Sequence, residues 1–117
     1  MLPTHHLQAY RDFQQMLQTL KHQLNHTHLE PTAWQSTFLK AQKFFQVQIL
    51  GLDLNGLSPD QQSRVKSYQT EMNKQLRLLS MDVTFLQAAR QSITAQQRQA
   101  HMKDRISLLL GYCEALL

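Results

Sequence analysis

The sequence predicts an all-α protein, an antiparallel four-helix bundle built from two helical hairpins with a long third helix. Apolar residues recur every three or four positions through four segments, as on the buried face of a helix. A proline or a capping pattern opens each of these segments. No strand alternation, repeat or long linker interrupts the 117 residues. We therefore expect one helical-bundle domain over residues 1–117.

The composition points to a globular protein, with 42% hydrophobic and 17% charged residues. No apolar run approaches the roughly 18 residues that a membrane span needs. The first residues lack the basic-then-apolar pattern of a secretory signal. The single cysteine, Cys113, cannot form an internal disulfide, which fits a reducing compartment. These features predict a cytoplasmic protein without a membrane span.

The first hairpin joins predicted helices over residues 4–26 and 31–52. Phe13 and Phe45 lie at equal distances from a turn near residue 29, as facing residues of an antiparallel hairpin should. The two predicted core stripes are Tyr10, Phe13, Leu17, Leu20 and Leu24, and Trp34, Phe38, Ala41, Phe45, Ile49 and Leu52.

The second hairpin follows the longest break in the pattern, "DLNGLSPDQ". Asn55-Gly56 is a turn signal, and Ser58 with Gln61 forms a capping box around a first-turn proline. The third helix is predicted over residues 59–91. A second capping box at residues 94–97 predicts the start of the fourth helix, which runs to the last residue.

The helices of the second hairpin carry matching apolar stripes around a turn near residue 92. These stripes are Val65, Tyr68, Met72, Leu76, Leu79, Val83 and Leu86, and Met102, Ile106, Leu109, Cys113 and Leu116. The third helix would be roughly 50 Å long, against roughly 30–35 Å for the other three.

Two helices have more apolar residues than one core stripe needs. These additional residues are Leu78, Met81 and Phe85 on the third helix, and Phe44, Val47 and Leu50 on the second. We interpret them as contacts with a second neighbour inside the bundle. The alternative is a further buried surface such as a homodimer interface.

Histidines near the first turn have the spacing of metal ligands, because His22 and His26 are four residues apart and His28 follows. A metal site needs a third or fourth ligand, and Glu30 is the only acidic residue nearby. We therefore interpret the histidines as solvated and predict no metal and no cofactor.

Two further residues have reactive side chains. Asp82 lies level with Lys103 in the second hairpin, which predicts an ion pair that fixes register. Catalysis by Asp82 would need a partner carboxylate or histidine. Cys113 lies opposite Met72 with no histidine to activate it, so we expect an inert thiol. The sequence has no phosphate-binding glycine loop, and we predict that the protein is not an enzyme.

The basic residues give a net charge of +4 and are spread along helices two to four. Nucleic-acid binding favours a denser basic face with stacking aromatics, so a nucleic-acid-binding or transcription-associated regulator is the alternative function. An acidic protein partner fits better. On charge and expected exposure alone, the candidate partner-binding residues are Arg77, Arg90, Arg98 and Arg105.

The third and fourth helices resemble the cyanobacterial PatD family of heterocyst frequency control proteins. The resemblance lies in "QLRLLSMDVTFLQAARQ" (75–91) and "QQRQAHMKDRISLLLGYCEALL" (96–117). Its main elements are Leu79, Met81-Asp82, Phe85 to Arg90, Asp104 to Ile106, and Tyr112 to Ala115. The earlier "Y-x-x-F" and "W-x-x-x-F-L" patterns are compatible with the family but less specific.

The resemblance implies a small, cytoplasmic, non-enzymatic regulator. Members of this family are linked to the division protein FtsZ, to its assembly and, in filamentous species, to heterocyst frequency. An acidic FtsZ-like partner fits a mildly basic bundle. The family pattern fixes no contact residues, and it leaves open whether the effect on the partner is activating or inhibiting.

Overall fold

The computed structural model describes residues 2–25 and 30–117. These residues form four α-helices and no strand, which confirms the predicted all-α bundle with a long third helix. The helices are α1 (Thr4–Leu24), α2 (Pro31–Phe44), α3 (Pro59–Ala88) and α4 (Ser92–Leu116). No helix in the described part of the chain has both the length and the apolarity to cross a membrane.

The four helices pack side by side in a rod of 50 × 19 × 19 Å. Helix α1 packs against α2 and α4, and α3 also packs against α2 and α4. Consequently α2 and α4 lie at diagonally opposite corners of the bundle. The rings of Phe13 and Phe45 lie 5.5 Å apart, and the Trp34 indole donates to the Leu20 carbonyl at 3.0 Å. The contact between the two rings confirms the predicted pairing of Phe13 with Phe45.

The core of the bundle consists of the predicted stripes with few changes. Every predicted core residue is buried except Leu52 and Tyr68, which are half-buried. Three further apolar residues, Leu2, Leu7 and Leu57, are buried although they were not predicted. Leu7 extends the α1 stripe one step before Tyr10, whereas Leu2 and Leu57 lie outside the helices, where helical periodicity gives no indication.

The two predicted capping boxes have different outcomes. At the start of α3, Ser58 N–H donates to Gln61 Oε1 at 3.1 Å and Gln61 N–H donates to Ser58 Oγ at 3.2 Å, which confirms the first box. The predicted box at residues 94–97 is wrong. Helix α4 begins at Ser92, and Ala95 N–H already donates to the Gln91 carbonyl at 3.1 Å. Residue 94 therefore lies inside the first turn.

The predicted second helix is wrong beyond Phe44, because a π-helical turn occupies Phe45–Ile49. Leu50 N–H donates to the Phe45 carbonyl at 2.9 Å, five residues back. Both Phe45 and Ile49 are buried in the core. The chain then turns away at Gly51, where a Cβ atom would collide with the Val47 carbonyl oxygen.

The additional apolar residues of α2 and α3 are only partly covered. Leu78 is half-buried, and Phe44 stacks on Phe13 with ring centroids 6.4 Å apart. In contrast, Met81, Phe85, Val47 and Leu50 are exposed to solvent. The expectation that a second bundle neighbour covers these residues is therefore wrong for those four.

Candidate protein-interaction surface

A buried carboxylate organises the surface between α3 and α4. Asp82 is only 2% exposed. Arg98 Nη1 donates to Asp82 Oδ1 at 3.0 Å, and Arg105 Nε donates to Asp82 Oδ2 at 2.7 Å. Because the two arginines are seven residues apart on α4, they lie on the same flank two turns from each other. Each oxygen of the buried carboxylate therefore has its own charged donor.

The predicted ion pair between Asp82 and Lys103 is wrong. Equal distance from the turn sets the level of a residue along the helix axis, whereas its direction depends on the 3.6-residue period. Lys103 shares a flank of α4 with Glu114, about three turns further on. Glu114 accepts a hydrogen bond from Gln14 of α1 at 3.1 Å. Lys103 thus lies toward α1, while Arg98 and Arg105 lie toward α3.

An exposed aromatic ring lies beside this ion-pair cluster. The guanidinium carbon of Arg98 lies 4.7 Å from the centroid of the Phe85 ring, within the range of a cation–π contact. Phe85 is 51% exposed and Met81 is 54% exposed. Leu108 of α4 is exposed as well. We call Met81, Phe85, Arg98, Arg105 and Leu108 the α3–α4 face.

A shallow cleft of about 240 Å³ borders this face. Its lining residues are His101, Asp104, Arg105 and Leu108. Two guanidinium groups flank the single Asp82 carboxylate, so the Asp82 cluster has a net positive charge. Exposed apolar side chains, an aromatic ring and arginines are the residue types that dominate protein interfaces. The face therefore suits a partner that is apolar at its centre and acidic around it.

The four predicted partner-binding arginines occupy different environments. Arg98 and Arg105 belong to the α3–α4 face, but each already bonds to Asp82. Arg77 is exposed on α3, and Arg90 is exposed in the connection between α3 and α4. The structure thus brings two of the four together, and a role in binding a partner stays a prediction for all four.

Phe85 and Met81 were not predicted as site residues from the sequence. The signal for them was the second apolar stripe on α3, which was interpreted as internal packing. Arg98, which braces Phe85, comes from α4, so only the folded hairpin shows that the ring is both exposed and held in place.

A second polar cluster is enclosed by the helices. Gln69 Nε2 of α3 donates to the Tyr10 hydroxyl of α1 at 3.1 Å and to the Ile49 carbonyl at 3.3 Å. Burial raises the pKa of the Tyr10 phenol, partly offset by the Gln69 hydrogen bond. This cluster ties α1 and α3 to the π-helical turn, and it presents no charged group to solvent.

The one thiol is unsuited to nucleophilic chemistry at neutral pH. Cys113 is fully buried on α4. Burial raises the pKa of this thiol to about 12, and the nearby Glu114 carboxylate adds to the effect. The thiolate, which is the reactive form, is therefore scarce near pH 7.

The histidines considered as metal ligands lie only partly within the described residues. His22 lies in the last turn of α1, whereas His26 and His28 lie outside the described residues. Within residues 2–25 and 30–117, no group of three or more His, Cys, Asp or Glu side chains is placed to hold a metal ion.

Comparisons with family models, with curated proteins and with solved structures find no match to this chain.

Proposed function

We propose that this protein is a cytoplasmic, non-enzymatic regulator that binds FtsZ and modulates its assembly. In heterocyst-forming cells this activity would also set heterocyst frequency. The resemblance to the PatD family supports this proposal. The two segments that carry the resemblance, residues 75–91 and 96–117, contain every residue of the α3–α4 face.

The observation that carries the proposal is the exposed, braced ring of Phe85. A half-exposed aromatic side chain is costly to leave in water and loses little entropy on binding when it is already fixed. Arg98 covers one side of the ring while bonding to Asp82. The ring is therefore a preorganised anchor of the kind found at the centres of interfaces.

The charge of the molecule supports an acidic partner. The chain has a net charge of +4. An FtsZ-like protein is acidic, so the electrostatic field would favour encounter between the two. Such steering weakens as salt is added, because exposed charges are screened beyond about 8 Å at physiological ionic strength.

Sedimentation of FtsZ polymers in the presence and absence of the protein tests the proposal. We expect the chain to pellet with the polymers and to change the polymer yield. The direction of the change would show whether the protein promotes or opposes assembly. Unchanged polymer yield together with no co-pelleting would contradict the proposal.

Nucleic-acid binding, the alternative function from the sequence, receives less support. Arg98 and Arg105, the cations nearest the exposed aromatic ring of the α3–α4 face, are already bonded to Asp82. The Phe85 ring beside them has one side occupied by a guanidinium group. One ring with a covered side is a poor platform for base stacking, and the cluster of two arginines and Asp82 has only one net positive charge to offer to phosphates.

A further inference from the structure

The outer surface of α2 is a second exposed surface that FtsZ binding through the α3–α4 face would not use. It consists of Leu39, Lys40, Lys43, Val47 and Leu50, which we call the α2 outer face. All five are exposed. The three apolar members are 51%, 56% and 46% exposed. We propose that this face docks reversibly on an anionic membrane surface.

The charge of α2 is uniformly positive. The sequence has no Asp or Glu between Glu30 and Asp53. Lys40 and Lys43 are exposed among the apolar residues of the α2 outer face, and Lys66 of α3 shares a cleft with Leu50. A surface that combines aliphatic side chains with lysines, and has no carboxylate of its own helix, is complementary to acidic lipid headgroups.

The shape of the α2 outer face favours a bilayer over a folded protein partner. Its side chains project from the convex side of a helix, and Leu50 is the member that borders the adjacent cleft of about 350 Å³. The other residues of that cleft, Lys66, Gln69, Thr70 and Asn73, belong to α3. A folded partner would have to supply a matching groove for the side chains that lie outside this cleft. A lipid interface, in contrast, accepts projecting side chains without a matching groove.

The chemistry of these side chains also separates lipid from nucleic acid. The exposed apolar members are Leu and Val, which cannot stack on bases as aromatic rings do. The cations of the α2 outer face are lysines with long aliphatic stems. Those stems can lie along the acyl boundary while the ammonium groups remain among the headgroups.

The α2 outer face continues along the π-helical turn that follows α2. Phe45 and Ile49, at the two ends of this turn, are both buried in the core. Val47 and Leu50 then remain on the solvent side, in line with Leu39 and the lysines. The structure thus keeps an apolar and basic stripe continuous past the point where the α-helix ends.

Co-sedimentation of the full chain with lipid vesicles tests the proposal. One set of vesicles is an equimolar mixture of phosphatidylglycerol and phosphatidylcholine, and the other is phosphatidylcholine alone. We expect binding to the anionic vesicles at low salt, little binding to the neutral ones, and release by added salt. Each cation near an anionic surface contributes about fivefold to the partition coefficient. Lys43→Glu should therefore lower partitioning by more than about tenfold.

The apolar contribution is tested by Val47→Gln, which we expect to lower partitioning several-fold without changing the charge. Matched controls lie on α4, diagonally opposite α2. Leu108→Gln replaces an aliphatic residue that is also about half exposed, 47% against 56% for Val47. Lys103→Glu makes the same charge change as Lys43→Glu. Circular dichroism shows whether each variant keeps its helical content.

Three outcomes would overturn the proposal. The first is no binding of the wild-type chain to anionic vesicles at low salt. The second is an equal loss of binding in the α2 and α4 variants, which would indicate attraction by net charge alone. The third is binding to an acidic protein or to DNA that depends on Lys43 and Val47 while vesicles remain unbound. FtsZ co-pelleting by wild-type protein is measured separately, so failure of either proposal leaves the other intact.

Discussion

Arg105 Nε lies 2.7 Å from Asp82 Oδ2, and this contact joins the two helices of the second hairpin through a carboxylate that is almost fully buried. The other oxygen of Asp82 holds Arg98, which in turn covers the exposed ring of Phe85. A single residue therefore links the packing of α3 on α4 to the geometry of the proposed contact surface.

Replacing Asp82 by Asn should destabilise the protein. The neutral amide loses the charge that both guanidinium groups share, and its NH₂ group would point a donor at one of them. Because each arginine is about a quarter exposed, we expect the free energy of unfolding to fall by about 2–3 kcal/mol, below the usual cost of breaking a fully buried pair. Urea denaturation followed by circular dichroism measures this loss.

Two further variants act as controls for Asp82. Asp104→Asn removes an exposed carboxylate, and Lys103→Ala removes the lysine that is level with Asp82 but faces α1. Each should change the free energy of unfolding by less than about 0.5 kcal/mol. A loss for Lys103→Ala as large as that for Asp82→Asn would refute the observed pairing.

The Gln69 contacts should stabilise the bundle through hydrogen bonding. Gln69→Leu leaves the buried Tyr10 hydroxyl without its donor, while the Ile49 carbonyl keeps its bond from Leu52 N–H at 3.2 Å. We expect a loss of about 1–3 kcal/mol in the free energy of unfolding. Tyr10→Phe in the Gln69→Leu background should restore part of it, because no unpaired hydroxyl then remains. Fully additive losses would show that the two residues do not interact.

Cys113 should resist alkylation in the folded protein. Burial both blocks access and raises the pKa of the thiol to about 12, so the thiolate is scarce at mildly alkaline pH. With iodoacetamide, mass spectrometry should detect almost no adduct on the native chain and one adduct per chain in urea, since the sequence has one cysteine. Native labelling as fast as that of free cysteine would disprove the buried, inert state.

His6 should make the stability depend on pH. Burial lowers the pKa of His6 below 6.5, and His5 adds to this effect while Asp53 opposes it. The unfolded chain therefore binds the proton more readily, so the free energy of unfolding should fall as pH drops below about 6.5. The slope cannot exceed about 1.4 kcal/mol per pH unit for one proton. Below the folded-state pKa the loss should level off.

Thermal unfolding of the wild type and of His6→Gln, from about pH 7.5 to about pH 5, isolates this dependence. The variant should show a flatter profile across that range. His101→Gln is the matched control, because His101 is an exposed histidine on α4, whereas His5 itself influences the pKa of His6. An equal slope in wild type and His6→Gln would assign the pH dependence to other groups.

The sequence was sufficient to predict the features that depend on helical periodicity. A buried face must repeat every 3.6 residues, so the core stripes could be identified directly, and the contact between Phe13 and Phe45 could be inferred from their distance to the turn. The Ser58 capping box was also predictable, because its hydrogen bonds are local. Interactions within a few residues of each other leave a pattern in the chain.

Other features depend on how each helix is rotated and how it is wound, which the spacing of residues along the sequence does not determine. Lys103 and Asp82 are level along the axis, yet the rotation of α4 points Arg98 and Arg105 at Asp82. The steps from Ala41 to Phe45 to Ile49 fit both an α-helix and a π-helical turn. The exposure of Phe85 depends on how far α3 and α4 separate at their outer edge. None of these quantities could be obtained from a one-dimensional pattern.

The central claim is that the exposed ring of Phe85 anchors FtsZ. The most direct test is co-pelleting of Phe85→Ala with FtsZ polymers, compared with wild type and with Leu39→Ala. Leu39 is the matched control on α2, because Leu39 and Phe85 are both 51% exposed. Truncating an anchor of this kind costs about 2 kcal/mol or more, so we expect affinity to fall by more than about tenfold. Leu39→Ala should pellet as wild type does. Undiminished binding and an unchanged effect on polymer yield for a folded Phe85→Ala protein would contradict the claim.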